Sequence, residues 1–484
     1  MKLQRRQLGN WPKLSWLARI SDSQVSVLHG RRVECSDDWV FEGTWAGSFK
    51  QAEFDRSVAA IVGTGLRVRD SKVTFVCSTS PLDRLFYVER CGEFLVSNSL
   101  ACLLAASRLR LDPAFAYSKT LSRMLVDHRH TPKTLATVEG EEIHVLIHEQ
   151  LTCDFSGKEV KTTLREPYGS SIPDFATFED YRQFLRTTML AIRDNLEDSQ
   201  RRFPITPVAT ISKGYDSPAS MVVAEPLGIQ TALTISRVGI FYQHDDSGTE
   251  IAKTLGSQVT SVKSKVSHYR DYPLVWAGLG QYFDLNMTMF DYSHDLTLLT
   301  VGTHGDVVWQ KGLTEEFVAT HHFLDRGGDT SGCGLTEWRL HKGVFLACIP
   351  CLGAVKLDCL RLINGSSSMD PWRVGGKYDR PIPRRIVEQR GIDREAFGNR
   401  KMATLPGCRM FYPSDPDQLR DLNVFLCQHG QRLPRRFGFL RAPIHILRTK
   451  LGRHVSRFQL PNLEDLFFVW ANNRVASGSY ELPN

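Results

Sequence analysis

The sequence predicts an α/β protein in two parts: a strand-rich α+β segment over residues 1–172 and an α/β segment with a parallel sheet over 173–484. Three observations lead there. Runs of β-branched and aromatic residues of strand length recur through the first part. Strand-like and helix-like stretches alternate in the second, the pattern of βα units around a parallel sheet. Between them, 166–175 (EPYGSSIPDF) gathers Pro, Gly and Ser as a linker does.

Taken in order, 38–49 (DWVFEGTWAGSF) alternates large residues with small or polar ones and reads as a strand, as do 72–77, 85–88 and 142–147. A short helix is expected over 100–106. After the linker, Thr177 is placed to cap a helix whose Tyr181, Phe184, Leu185, Met189, Ile192 and Leu196 form one apolar stripe. That stripe is core. The run 208–211 then stops at Ser212-Lys213-Gly214-Tyr215-Asp216-Ser217, and Pro218 opens a further helix. A second unit follows, with a strand over 231–236 and a helix over 245–255 capped by Asp245 and Asp246.

With 484 residues, 42% hydrophobic and 23% charged, the chain can bury two or three sizeable cores. Arg5, Arg6, Asn10 and Pro12 interrupt any signal-like N-terminus, and no apolar run is long enough to span a bilayer. A cytoplasmic protein without membrane contact is expected. The 11 cysteines, odd in number and scattered, suit reduced thiols. Cys348 and Cys351 have a metal or redox spacing, but their apolar setting favours buried core thiols over such a site. The net charge of +7 concentrates in a basic stretch, 432–457, which suits a solvated face better than a nucleic-acid surface.

The turn 212–217 combines backbone N–H groups, two hydroxyls and a helix N-terminus, which is how phosphate is held; an ordinary capped turn explains it equally well. Four ordered stretches resemble the asparagine synthetase family of ATP pyrophosphatases. ISKGYDSPAS is similar to that family's pyrophosphate loop, with Lys213 in place of a glycine. VGTHGDVVW is similar to its Gly-rich magnesium loop and aligns Asp306 with the metal-binding position. LTEWRLHKGVFLACIPCLG resembles its Glu-x-Arg stretch through Glu337 and Arg339, and PIPRRIVEQRGIDREAFGNRKMA resembles the segment ending in an essential lysine, matched by Lys401. In the first part, PLDRLFYVERCGEFLVSNSLACLLAAS is similar to the family's N-terminal glutaminase-like domain.

The resemblance implies a degenerate glutaminase-like (Ntn-type) domain joined to an ATP-pyrophosphatase domain. Lys2 follows Met1 and the first cysteine is Cys35, so the glutaminase nucleophile is missing, as in lactam-forming and peptide-cyclising relatives. The implied activity is an ATP-dependent amide ligase that adenylates a carboxylate and passes the acyl group to an amine, in natural-product or peptide modification. ATP and Mg2+ are the expected cofactors. Ser212, Lys213, Gly214, Tyr215, Asp216, Ser217, Gly302 and Gly305 would hold ATP or pyrophosphate, Asp216 and Asp306 the magnesium, and Lys401 the α-phosphate or oxyanion. Thr303 falls where relatives carry a catalytic tyrosine, so a His304–Glu337 pair is expected to serve as the base. Lys213 could bind a phosphate or merely face solvent. Tyr378, Asp379, Arg380, Arg384 and Arg385 are further candidates for a substrate carboxylate or phosphate, and His321, His322 and Asp325 are weaker ones for a metal. Ammonia from a separate partner subunit, a nucleotide-binding scaffold without turnover, and a homo-oligomer all stay open.

Overall fold

A computed structural model describes residues 1–21, 24–56, 58–156, 161–166, 171–237, 245–263, 272–278, 284–310, 312–320, 335–376, 378–399, 413, 415–433 and 463–482. Lys401, the His321, His322 and Asp325 group, and 434–457 of the basic stretch lie outside the described residues.

The first part folds as two facing sheets. One runs Lys2–Gln7, Gln24–His29, Trp16–Ser21, Glu93–Ser97, Arg84–Arg90, Glu142–Ile147, Thr134–Ala136, and is antiparallel except where its first two strands pair in parallel. The other runs Lys161–Arg165, Gln150–Asp154, Lys72–Val76, Ile61–Arg69, Trp39–Trp45, Glu34–Cys35, antiparallel throughout. Period-two alternation decides what each face buries. In Trp39–Trp45, Val40 joins the core between the sheets, while Trp39, Phe41 and Trp45 turn the other way and pack with Phe49 and Phe54, Trp39 edge-on and Trp45 stacked on Phe49. Gly43 and Gly63 face each other at φ +123° and +103°. A Cβ on Gly43 would stand 2.0 Å from the Val62 carbonyl oxygen, so glycine is required there.

The second part is built on a five-stranded, all-parallel sheet in the order Gln258–Lys263, Thr231–Arg237, Thr206–Thr210, Thr297–Val301, Val344–Cys348. The chain is thus a mixed α/β protein with one parallel sheet. The helix Phe178–Leu196 begins at Thr177 with a full capping box to Asp180, and its expected stripe is buried apart from the half-buried Leu196. One expected element is shorter than its sequence suggests. The helix expected over 245–255 is Thr249–Thr254 with Gly248 at its N-cap, because Asp245 and Asp246 are drawn to the neighbouring loop.

The two parts share a core. Residues of the first sheet (Leu17, Phe86, Leu95), of the parallel sheet (Val208, Leu299, Leu346) and of the helix Leu463–Ser479 (Phe467, Val469, Trp470) belong to one buried cluster. That last helix packs back on Leu100–Ser107 and Tyr117–Val126. Among the described residues no helix is long and apolar enough to cross a membrane.

Candidate active site at the strand ends

In the parallel sheet Thr206–Thr210 and Thr297–Val301 are neighbours, and the chain order runs away from them in opposite directions. The loops leaving their carboxyl ends therefore border the crevice where open α/β sheets bind ligands. These loops are 212–217 and 302–306, both singled out by the sequence.

They touch. A Cβ on Gly302 would lie 2.7 Å from the Ser217 amide nitrogen, and one on Gly305 would lie 2.6 Å from Asp216 Oδ1. Both glycines are needed for this approach, whereas Gly214 has ordinary φ and only van der Waals neighbours at 3.4 Å and beyond.

Within the first loop, most of what the sequence offered to phosphate is engaged. Ser217 Oγ accepts from the Ser212 amide at 2.9 Å and lies 2.8 Å from Ser212 Oγ, which accepts from the Gly214 amide at 3.2 Å. The Lys213 amide donates to the Asp246 carbonyl at 3.1 Å and to its Oδ1 at 3.2 Å. Lys213 Nζ sits 3.6 Å from Asp245 Oδ2, half exposed, so its cation faces a carboxylate. The Tyr215 side chain points into the core: its hydroxyl accepts from Arg384 at 2.7 Å, and its ring packs against Gly398 and Tyr378. Any part Tyr215 takes in binding falls to its backbone.

Asp216 is the centre of charge. Both of its oxygens lie 2.6 Å from Arg380 Nη1, and Arg380 is nearly buried. Burial works against the Arg380 charge, but Asp216, with a smaller contribution from Asp306, outweighs it and holds the guanidinium's pKa above its usual value. Both carboxylates expected to hold magnesium thus act on the charge of one arginine, and Asp216 pairs with it directly. Their hard oxygen donors are of the kind Mg2+ takes, and Asp216 would have to release Arg380 to offer its own. Of the other predicted candidates, Asp379 caps the Val374 and Gly375 amides, Arg384 is locked between Tyr215 and Glu388, and Arg385 reaches Glu179. In this structure all three side chains are engaged within the protein.

No model of a known protein family matches the chain, and no curated protein matches it.

The expected His304–Glu337 pair is not formed. Glu337 lies in the helix Thr336–Lys342, which inserts into the first part of the chain. Ser99 Oγ stands 2.7 and 2.9 Å from its two oxygens, the Ala101 amide donates at 3.4 Å, and the Tyr480 hydroxyl donates at 3.3 Å. Burial pushes the Glu337 carboxyl up to about 7 against these hydrogen bonds. Two residues on, Arg339 forks onto Glu42 at 2.9 and 3.0 Å and reaches Asp83 at 2.8 Å, all three fully buried. The Glu-x-Arg stretch thus joins the two parts of the chain: Glu337 meets the start of the helix Leu100–Ser107, while Arg339 meets Glu42 of the second sheet and Asp83 just ahead of the strand Arg84–Arg90. His304 meets Cys348 and Cys351 instead: one donor atom from each lies within 4.8 Å of the others. Sequence reasoning missed Ser99, Glu42 and Asp83 as partners and set the two cysteines aside.

Proposed function

We propose that the chain is an ATP-dependent carbon–nitrogen ligase of the asparagine synthetase type, adenylating a substrate carboxylate and passing the acyl group to an amine. The observation that carries this reading is the meeting of loops 212–217 and 302–306 at the switch point of a parallel sheet, which brings Asp216 of the first loop against Gly305, the neighbour of Asp306, in the second.

Asp216 and Asp306 would hold magnesium, which would supply neutralisation of phosphate charge. In this reading Arg380 exchanges its carboxylate for phosphate oxygens, an exchange that keeps its charge paired. Ser212 and Ser217 turn their hydroxyls from one another to the anion. Lys401 supplies a further cation to the α-phosphate.

The first part of the chain is read as a glutaminase-like fold that no longer makes ammonia. Its first cysteine, Cys35, fits that reading, since burial pushes its thiol up to about 12, and a protonated thiol is a poor nucleophile. The amine then comes from substrate, and its proton must go to a base other than a His304–Glu337 pair.

Substrate-dependent exchange of pyrophosphate into ATP, across a panel of amino acids and peptides, tests the proposal. Exchange with at least one carboxylate is expected, and it should disappear in Asp306→Asn. Tight ATP binding with no exchange and no pyrophosphate release would instead favour a nucleotide-binding scaffold, a reading supported by the Asp216–Arg380 pair and the engaged loop amides.

A further inference from the structure

Strands Thr297–Val301 and Val344–Cys348 pair in parallel with Val301 opposite Cys348, so the turns leaving them start side by side. His304 is the third residue past the first strand, and Cys351 is the third past the second. His304 adopts the left-handed conformation at φ +68°, which costs a residue with a Cβ on the order of 1 kcal/mol, and its imidazole is buried. Pro350 shapes the short 3-10 turn Ile349–Cys351, which folds Cys351 back toward Cys348. One imidazole nitrogen and two thiol sulfurs thereby lie within 4.8 Å of one another, all buried.

We propose that His304, Cys348 and Cys351 form a Cys2His site for a borderline-soft transition-metal ion, zinc foremost. A tetrahedral zinc bonds sulfur at about 2.3 Å and imidazole nitrogen at about 2.0 Å, which spaces its donors by roughly 3.5–3.8 Å. The sulfurs are 2.9 Å apart, so one cysteine side chain must turn slightly to open the pair. They are also well beyond the about 2.05 Å of a disulfide.

The donor set selects against the hard cations that suit Asp216 and Asp306, since thiolate and imidazole favour zinc or copper(I) over magnesium. Charge balance favours it in a buried place. Zn2+ displaces one proton from each thiol to solvent, and the ion with two thiolates and a neutral imidazole has no net charge to bury. Three protein ligands leave a fourth position for water, next to the Thr303 carbonyl oxygen that lies 3.0 Å from Cys348 Sγ. Such an ion would tie the 302–306 loop to the turn after the neighbouring strand, and through Gly305 it would fix where Asp216 packs.

The test uses the full chain, purified under reducing conditions and dialysed against a small excess of Zn2+, with bound metal measured by mass spectrometry of the elements. About one zinc per chain is expected, with Cys348→Ser and Cys351→Ser each binding on the order of 100-fold more weakly. Cys91→Ser should bind as the parent does. Circular dichroism checks that the variants fold. Titrating the parent with Co2+ needs no variant: an intense thiolate-to-cobalt band is expected, and its absence overturns the site. So does a parent chain that retains no zinc, zinc retained in full when both cysteines are serine, or recovery of Cys348 and Cys351 as a disulfide-linked peptide without metal.

Discussion

Two of the carboxylate–guanidinium clusters among the described residues differ in burial, and burial separates their roles. At the seam between the two parts, Arg339 is gripped by Glu42 and Asp83 with all three side chains at 1% exposure or less, while Glu337 beside it is closed in by Ser99, Ala101 and Tyr480. At the strand ends, Asp216 keeps a quarter of its side chain open, and Arg380 is its partner. The first cluster has no access for a ligand and can only hold the chain together. The second can trade partners, because water and a solute reach the carboxylate. The same residue types serve as a rivet in one place and as a latch in the other.

The sharpest way to break the comparison is to remove the rivet. Arg339→Met leaves two buried carboxylates without a cation and is expected to cost about 3–5 kcal/mol in urea unfolding. A loss below about 1 kcal/mol would mean that water enters the seam. Next comes pH. Glu337 is held at about 7 against 4.5 for the ordinary carboxyl, so the folded chain binds more protons than the unfolded one between those values. Its contribution is complete below pH 4.5 and is lost as pH rises through 7, a span of about 3 kcal/mol. Glu337→Gln should flatten that fall in unfolding free energy between pH 5 and 8, and an unchanged slope would remove Glu337 as its source.

At the latch the effects should appear in binding rather than folding. Arg380→Gln is expected to weaken ATP binding roughly tenfold in calorimetry while leaving the unfolding midpoint nearly unchanged. A large stability loss with normal ATP affinity would reverse the two roles. The smallest effect is expected from Lys213→Gly, since an exposed pair with Asp245 contributes at most about 1 kcal/mol. A strong loss of ATP affinity in that variant would show that the Lys213 cation turns to phosphate.

Local rules carried the sequence reading a long way. The 142–147 and 72–77 strands, the 100–106 helix and the Thr177 cap follow from side-chain alternation and hydrogen-bonding chemistry within a few residues, and each stands where it was expected. What sequence could not supply was pairing at a distance. Arg339 and Glu42 are 297 positions apart, and nothing in either local pattern names the other. Glu337 was read toward the nucleotide loop because its motif lay in order with the rest, yet the helix that carries it faces the opposite domain. The third donor beside Cys348 and Cys351 was closer to legible. Taking the third residue past each of two adjacent parallel strands would have paired His304 with Cys351, had the strand order been known.

The return of the Leu463–Ser479 helix to the helices Leu100–Ser107 and Tyr117–Val126 reaches beyond the folded state. Leu121, Met124 and Leu125 belong to the cluster that Phe467 and Trp470 also join, so part of their cover is synthesised long after them. The roughly 340 intervening residues take on the order of 20–70 s to synthesise. Throughout that interval the part of the apolar face that Leu463–Ser479 covers would stay open to a chaperone during translation.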